Sequence, residues 1–410
     1  MHLKLPELVP IKQNFPHHGL TDIPGTLRRV LAAGGLGRLV KPGRRVAVTA
    51  GSRGIANIVL ILATMVEEIK KLGAEPRILA AMGSHGGGAE EGRLKVLAGL
   101  GITPAAVGAP VDAGADPVQA GVLPQGLPLC YNRLALTYDA IIVVNRVKPH
   151  TSFHGPAESG LQKMVAVGLG GPAGASALHS RGASALPEVI PAAARALMEI
   201  IPVVLGVAIL EDAHENTAEL VAVAPADFGP AESRLLNRAW SLLPRLPVEQ
   251  LDLLIVDHIG KDISGTGMDT NVIGRLRIQG LPEPSAPVIR RIVALDLSPG
   301  TRGNAYGIGL ADFTTRRLVG KIDYPATCLN ALTSTFLQRV MLPMTLDTGR
   351  AAVETALNSL GNTGPGGARV ARISDTRRLD RLEVSANLLP ELAINPLVEI
   401  AGPPRPMIPD

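Results

Sequence analysis

The sequence predicts an α/β protein of two domains, each a mainly parallel sheet with covering helices, with an active-site cleft between them. Three observations carry this. Short apolar runs alternate with longer stretches of helical spacing, the order that builds a parallel sheet under helices. Hydrophobic residues are 46% of the chain and aromatics 2%, so the core is Leu, Ile, Val and Ala, as in strands buried on both faces. Polar, glycine-rich clusters follow directly after the predicted strands, where open α/β sheets bind ligands. A length of 410 residues allows two cores.

The elements follow in order. Residues 46–52 (V-A-V-T-A-G-S) read as a buried strand ending in a turn. A helix is expected from Ile55 to Leu72, closed by Gly73. Residues 76–82 form a second strand that ends at G-S-H-G-G-G, and Ala89 to Leu100 a second helix. Ala140 to Val144 is a third strand. It opens onto Asn145–Ser180, where apolar periodicity breaks down and loop is expected. Pro191 to Ile201 is helical and Val203 to Leu210 a strand. Residues 225–250 carry prolines and Trp240, so the first domain is taken as 1–250, with the Pro-rich tail 390–410 as a possible completion. A second domain, 251–389, opens on the strand L-D-L-L-I-V-D. A strand near Ile289–Leu297, a helix near Gly309–Lys321 and strands at 369–374 and 381–385 complete it.

Composition narrows the function. The formal charge is +4 and no basic stripe is interleaved with aromatics, which argues against nucleic-acid binding. Cys130 and Cys328 lie far apart without CxxC spacing, which excludes a thiolate zinc or iron–sulfur site within one chain and fits a reducing compartment. The start lacks an apolar signal-peptide core, and no apolar run is long enough to span a bilayer. The expectation is a soluble cytoplasmic protein without a membrane partner.

Candidate site residues sit at the strand ends. Arg53 follows the first strand just before a helix, where a guanidinium can grip a carboxylate or phosphate; the plain alternative is a solvated turn. His85 stands among glycines that let a ligand approach the backbone, and imidazole moves protons near neutral pH; the alternative is a capping histidine. His150 and His154 have zinc-like spacing, but Pro149 and Gly155 speak against a helix, so one of them is better read as a proton-transfer group. Lys163 is either a desolvated nucleophile or a surface lysine at a helix start. Residues 168–173 (G-L-G-G-P-A) match a G-x-G-x-x-A pattern weakly, because Pro172 sits in the turn; Gly168, Gly170 and Gly171 remain candidates for cradling a phosphate.

Taken together, Arg53, His85, His150, Lys163 and His179 fall in an order that resembles the lactate racemase family, enzymes that use a nickel-pincer nucleotide. The step of sixteen residues from Lys163 to His179 matches, as do K-P-H-T, E-S-G-L-Q-K-M and D-I-S-G-T-G-M-D-T-N. The resemblance covers most of the chain. It implies that Lys163 carries the cofactor ring through a thioamide and that His179 binds the nickel. It implies that His85 and His150 exchange the substrate hydroxyl proton and that Arg53 binds substrate. The chain departs from the family in having Ala50 where an Asp precedes the Arg, and in a longer interval before Lys163 that makes His154 a rival of His150. Lys261, Asp269 and Asn271 stand in for substrate groups of the second domain.

The implied activity is racemisation or epimerisation of a 2-hydroxy acid through hydride transfer and a 2-keto acid, with cofactor-building enzymes as partners. The alternatives are an NAD-dependent dehydrogenase of a 2-hydroxy acid and a non-catalytic binding protein for an anionic metabolite.

Overall fold

The computed structural model describes residues 5–407 apart from 115, 125, 362 and 363. The chain divides into two compact units, Pro16–Leu243 and Met1–Phe15 with Pro244–Asp410. Both are α/β with mainly parallel sheets. Among the described residues no helix is long and apolar enough to cross a membrane.

The strands in chain order are β1 (Glu7–Gln13), β2 (Arg45–Ala50), β3 (Glu75–Ala80), β4 (Val111–Asp112), β5 (Pro117–Val122), β6 (Pro128–Asn132), β7 (Ala140–Arg146), β8 (Val203–Glu211) and β9 (Thr217–Val223). They continue with β10 (Gln250–Ile259), β11 (Val288–Leu297), β12 (Phe313–Thr315), β13 (Met344–Leu346), β14 (Val370–Ile373), β15 (Arg381–Ser385), β16 (Val398–Ile400) and β17 (Arg405–Pro406).

The unit Pro16–Leu243 holds a six-stranded sheet in the order β4-β3-β2-β7-β8-β9, parallel except for β9. Its central strands alternate between two cores. Val46, Val48, Ile142 and Val144 face the helix Ile58–Lys71 through Ile58, Ile61, Leu62 and Met65. Ala47, Ile141 and Val143 face the other way, onto Leu161, Met164, Leu186 and Ile190. Burial on both faces explains the unbroken apolar runs. It also places the site. The chain leaves β2 toward the first face and leaves β7 toward the second, and β2 and β7 are neighbours. Loops that part to opposite faces open a crevice at the carboxyl ends of the strands.

The helix expected from Ile55 begins at Ile58, after two earlier helices, Ile23–Ala33 and Leu36–Leu39. Asn57 sits in the left-handed region (φ 58°) and Glu211 takes the amide of Ala56, so residues 51–57 stay a loop. The segment Asn145–Ser180, expected as mostly loop, is loop only as far as Gly160. Leu161–Lys163, a wider π-type turn over Met164–Leu169 and the helix Gly171–His179 make up the rest. Their high glycine content serves close packing rather than chain freedom. The Pro-bearing stretch 225–250 is largely one helix, Phe228–Leu242, with Pro230 in its first turn where no amide is missed.

The other unit holds a nine-stranded sheet in the order β13-β12-β11-β10-β14-β15-β1-β16, with β17 also on β1. Strands β10 to β14 run parallel, and β15, β1 and β16 antiparallel. The tail and the first strand lie here, not with the first domain. β1 buries Leu8, Val9 and Ile11 and pairs with β15 and with both tail strands. The helix expected over Gly309–Lys321 is instead strand β12 and the short helix Arg316–Val319. The hydroxyls of Thr314 and Thr315 donate to the carbonyls of Ala294 and Leu295 across the sheet.

Gly206 on β8 fixes where the Leu161 helix rests. A Cβ there would stand 2.6 Å from the Phe228 ring and 2.7 Å from Leu161. Gly206→Ala should cost on the order of 1–3 kcal/mol by overpacking. The check is the denaturant midpoint; a wild-type midpoint would contradict this packing.

Candidate functional site

The loops after β2, β3 and β7 and the helical segment after Gly160 gather the candidate side chains of the Pro16–Leu243 unit. Lys163 stands near the start of that segment. Glu232, 1% exposed, accepts from the Gln162 amide at 3.2 Å and from its side chain at 2.8 Å. Burial raises the Glu232 pKa. Gly160 is required there, because a Cβ would lie 1.5 Å from a Glu232 oxygen. Further along, Gly171 (φ 63°) breaks the helix and lets it fold back. Lys163 and His179 thereby come within electrostatic range of one another, though sixteen residues apart.

Their surroundings set their protonation. Lys163 is pushed down from 10.5 to about 7, first by burial and then by repulsion from Arg53, with Glu158 opposing. Its Nζ lies 5.6 Å from the centre of the Phe153 ring. Burial, and then the neighbouring Lys163, bring His179 down from 6.5 to about 4, so its imidazole is neutral at pH 7. Arg53 keeps a solvent-exposed side chain, yet burial by the protein around it and then Arg146 lower its pKa. Glu211 ties this corner together by pairing with Arg146 and accepting the Ala56 amide at 2.6 Å.

His85 follows β3. Its Nδ1 lies 3.1 Å from Ser52 Oγ, which links it to the Arg53 loop, and 3.0 Å from the carbonyl of Met82. Arg93, 0% exposed, anchors this loop by donating to the carbonyls of Gly83 at 2.9 Å and Gly114 at 3.1 Å.

Residues 148–159 form a closed loop, pinned where Lys148 and Ser159 exchange backbone hydrogen bonds. Glu158, 2% exposed, sits inside it. It accepts from the amides of His150 and Gly155 and lies 3.2 Å from His154 Nδ1. No helix forms, and the two histidines part. His150 stacks on Phe153 at 4.2 Å, beside Lys163, whereas His154 turns to Trp240 at 5.4 Å. The structure therefore links Arg53, His85, His150, Lys163 and His179 through a chain of contacts and charges, with His154 on its outer side.

Gly168, Gly170 and Gly171 do not line an open loop. All three are buried, and a Cβ on Gly168 or Gly170 would strike Met164 or the carbonyl of Ala166. The G-x-G-x-x-A run thus lies within helix packing. It lacks the strand–turn–helix setting of a dinucleotide loop.

Lys261, Asp269 and Asn271 lie in the other unit, in the loop after β10. Lys261 Nζ donates to the Gly265 carbonyl at 2.9 Å, 4.7 Å from the Tyr306 ring centre. Asp269 accepts the Asn271 amide at 3.0 Å as a helix cap, and its own amide donates to Thr376 at 2.9 Å. Both polar atoms of the Asn271 side chain are buried without a hydrogen-bond partner.

Sequence reasoning missed Glu158, Arg93, Phe153 and Glu232. Only Glu158 gave a signal, as an acid among apolar and small residues directly before Lys163.

Residues 10–185 match the family described as lactate racemase N-terminal domain. All five residues of the contact chain lie within that match. That stretch of the chain carries a lactate racemase N-terminal domain. The fold of the chain is similar to that of a solved structure, the lactate racemase apoprotein from Thermoanaerobacterium thermosaccharolyticum. The two share 12% identity with a TM-score of 0.56 over 90% of this chain and 98% of that one. No curated protein matches the sequence closely enough to count.

The Lys163 pKa has a stability consequence in the unmodified protein. Between pH 7 and 10.5 the unfolded chain binds a proton that the folded one does not. Stability therefore rises with pH across that window, and the burial penalty is fully present below it. Lys163→Met should be the more stable protein at pH 7 and should lose that rise. Denaturation at pH 7, 8 and 9 checks this; a variant that keeps the wild-type slope would contradict the burial.

Proposed function

We propose that this protein racemises or epimerises a 2-hydroxy acid with a nickel-pincer nucleotide held by Lys163 and His179. The observation that supports it best is the pairing of a near-neutral desolvated amine with a neutral imidazole inside a lactate racemase domain. The donor set fits the group. A free amine at pH 7 can form a covalent bond to a carbonyl or thioacid carbon. A neutral imidazole suits Ni(II). Among the described residues no three His, Cys, Asp or Glu side chains form a metal-ligand set, so the nickel would take His179 from the protein and its other ligands from the nucleotide.

When bound, the nucleotide supplies an acceptor for the substrate's Cα hydride. The chain's own residues do the rest. Arg53 pairs its guanidinium with the substrate carboxylate. His85 and His150 hold the hydroxyl and govern its proton. Enzymes that build the nucleotide act on this chain as partners, and the cytoplasm is where charging and turnover occur.

The test is the intact mass and nickel content of protein made together with cofactor-building enzymes. The expected result is a mass increment that Lys163→Ala lacks. His179→Ala should bind less nickel while keeping the wild-type circular dichroism. An unmodified Lys163 in enzyme that turns over, or turnover that consumes added NAD, would overturn the proposal.

A further inference from the structure

The backbone decides where the protons of two site histidines sit. His85 Nδ1 lies 3.0 Å from the Met82 carbonyl. A carbonyl only accepts, so Nδ1 carries the hydrogen and, in the neutral ring, Nε2 carries the lone pair. Ser52 Oγ at 3.1 Å can accept from the same N–H. His150 has the reverse arrangement. The Ser152 amide points its N–H at His150 Nδ1 at 3.1 Å. An amide N–H only donates, so this Nδ1 is bare and the ring hydrogen is on Nε2.

The His150 setting is held by its loop. Phe153, 3% exposed, stacks on the ring, and Glu158 fixes the His150 and Gly155 amides on either side of the turn. To become an imidazolium, His150 would have to place a hydrogen on Nδ1, head to head with the Ser152 N–H.

We infer that His85 and His150 are preset in opposite tautomers, with His85 Nε2 as the acceptor of the substrate's hydroxyl proton and His150 Nε2–H as a donor that orients the substrate. In the transfer the hydroxyl O–H bond breaks, an N–H bond forms at His85 Nε2, and that ring becomes the imidazolium. Glu158 is the positioning residue for His150. After the keto acid presents its other face, the His85 imidazolium returns the proton to the product oxygen, so neither hand gives its proton to His150. The roles rest on the proposed 2-hydroxy acid chemistry; the tautomers do not.

The experiment is long-range proton–nitrogen NMR of the full chain labelled with ¹⁵N-histidine, above pH 8 and without cofactor. His85→Gln and His150→Gln assign the two rings. The expected spectrum shows His85 protonated on Nδ1 and His150 on Nε2. Glu158→Ala should turn the His150 pattern into a tautomer mixture and leave His85, the internal control for folding, unchanged. Equal tautomers, or His85 protonated on Nε2, would overturn the inference; an unaltered His150 in Glu158→Ala would remove Glu158 from it. In loaded enzyme His85→Gln should lower kcat by about 10²- to 10⁴-fold. His150→Gln, whose amide still donates, should mainly raise KM and keep kcat within about tenfold. Equal loss of kcat in both would overturn the division of roles. Absence of turnover in wild type would count against the proposed function alone, because the ring pattern is read without it.

Discussion

A half-buried amine, desolvated by the protein around it, is the constraint on which the site depends. Lys163 is held where its charge is poorly tolerated, and four structural features keep it there. Glu232 seats the start of its helix, and Gly160 makes room for that carboxylate. Gly206 lets Leu161 settle on the sheet, and Gly171 folds the chain back so that His179 arrives beside it. None of these groups needs to touch a ligand. Together they set the two pKa values on which the proposed cofactor chemistry rests. The cost falls on the stability of the unmodified protein, as is common where a fold holds a reactive group in place.

The sheet topology explains why the other residues are available to this amine. β2 and β7 are neighbours whose chains depart to opposite faces, so the Arg53 and His150 loops leave adjacent strands of the sheet. β3 adds His85 from the adjacent position, tied back by Ser52. Polar anchors tie the loops down: buried Arg93 for the His85 loop, half-buried Glu211 for the Arg53 loop and buried Glu158 for the His150 loop.

Much of this was legible in the sequence. The parallel strands were readable because both faces are apolar, and the strand-end clusters were readable because the ends of those runs are sharp. Arg53 and His85 stood out by residue type and position, and Lys163 and His179 by the sixteen-residue interval of the family resemblance. What was not legible has a common cause in long-range packing. The glycines around Gly168 read as a loop that could cradle a phosphate, yet they are the close-packing surface of a helix against strand ends and the Ala166 carbonyl. The tail read as a possible completion of the first domain, yet it pairs with β1 in the other unit. β12 read as helix because its three residues become a strand only beside β11. Arg93 and Glu232 carry no local pattern, since their partners lie at Gly83, Gly114 and Gln162. The separation of His150 from His154 needed the Glu158 contacts.

The measurement that tests the central claim most directly is the fate of a Cα deuterium during interconversion. Loaded enzyme is given single enantiomers of Cα-deuterated 2-hydroxy acids of several sizes, without NAD. If the hydride is accepted and returned within the site while a histidine handles only the hydroxyl proton, the opposite enantiomer should appear with most of its deuterium retained. Rapid loss of the label to water would mean that a side chain removes Cα–H as a proton, and would contradict the account.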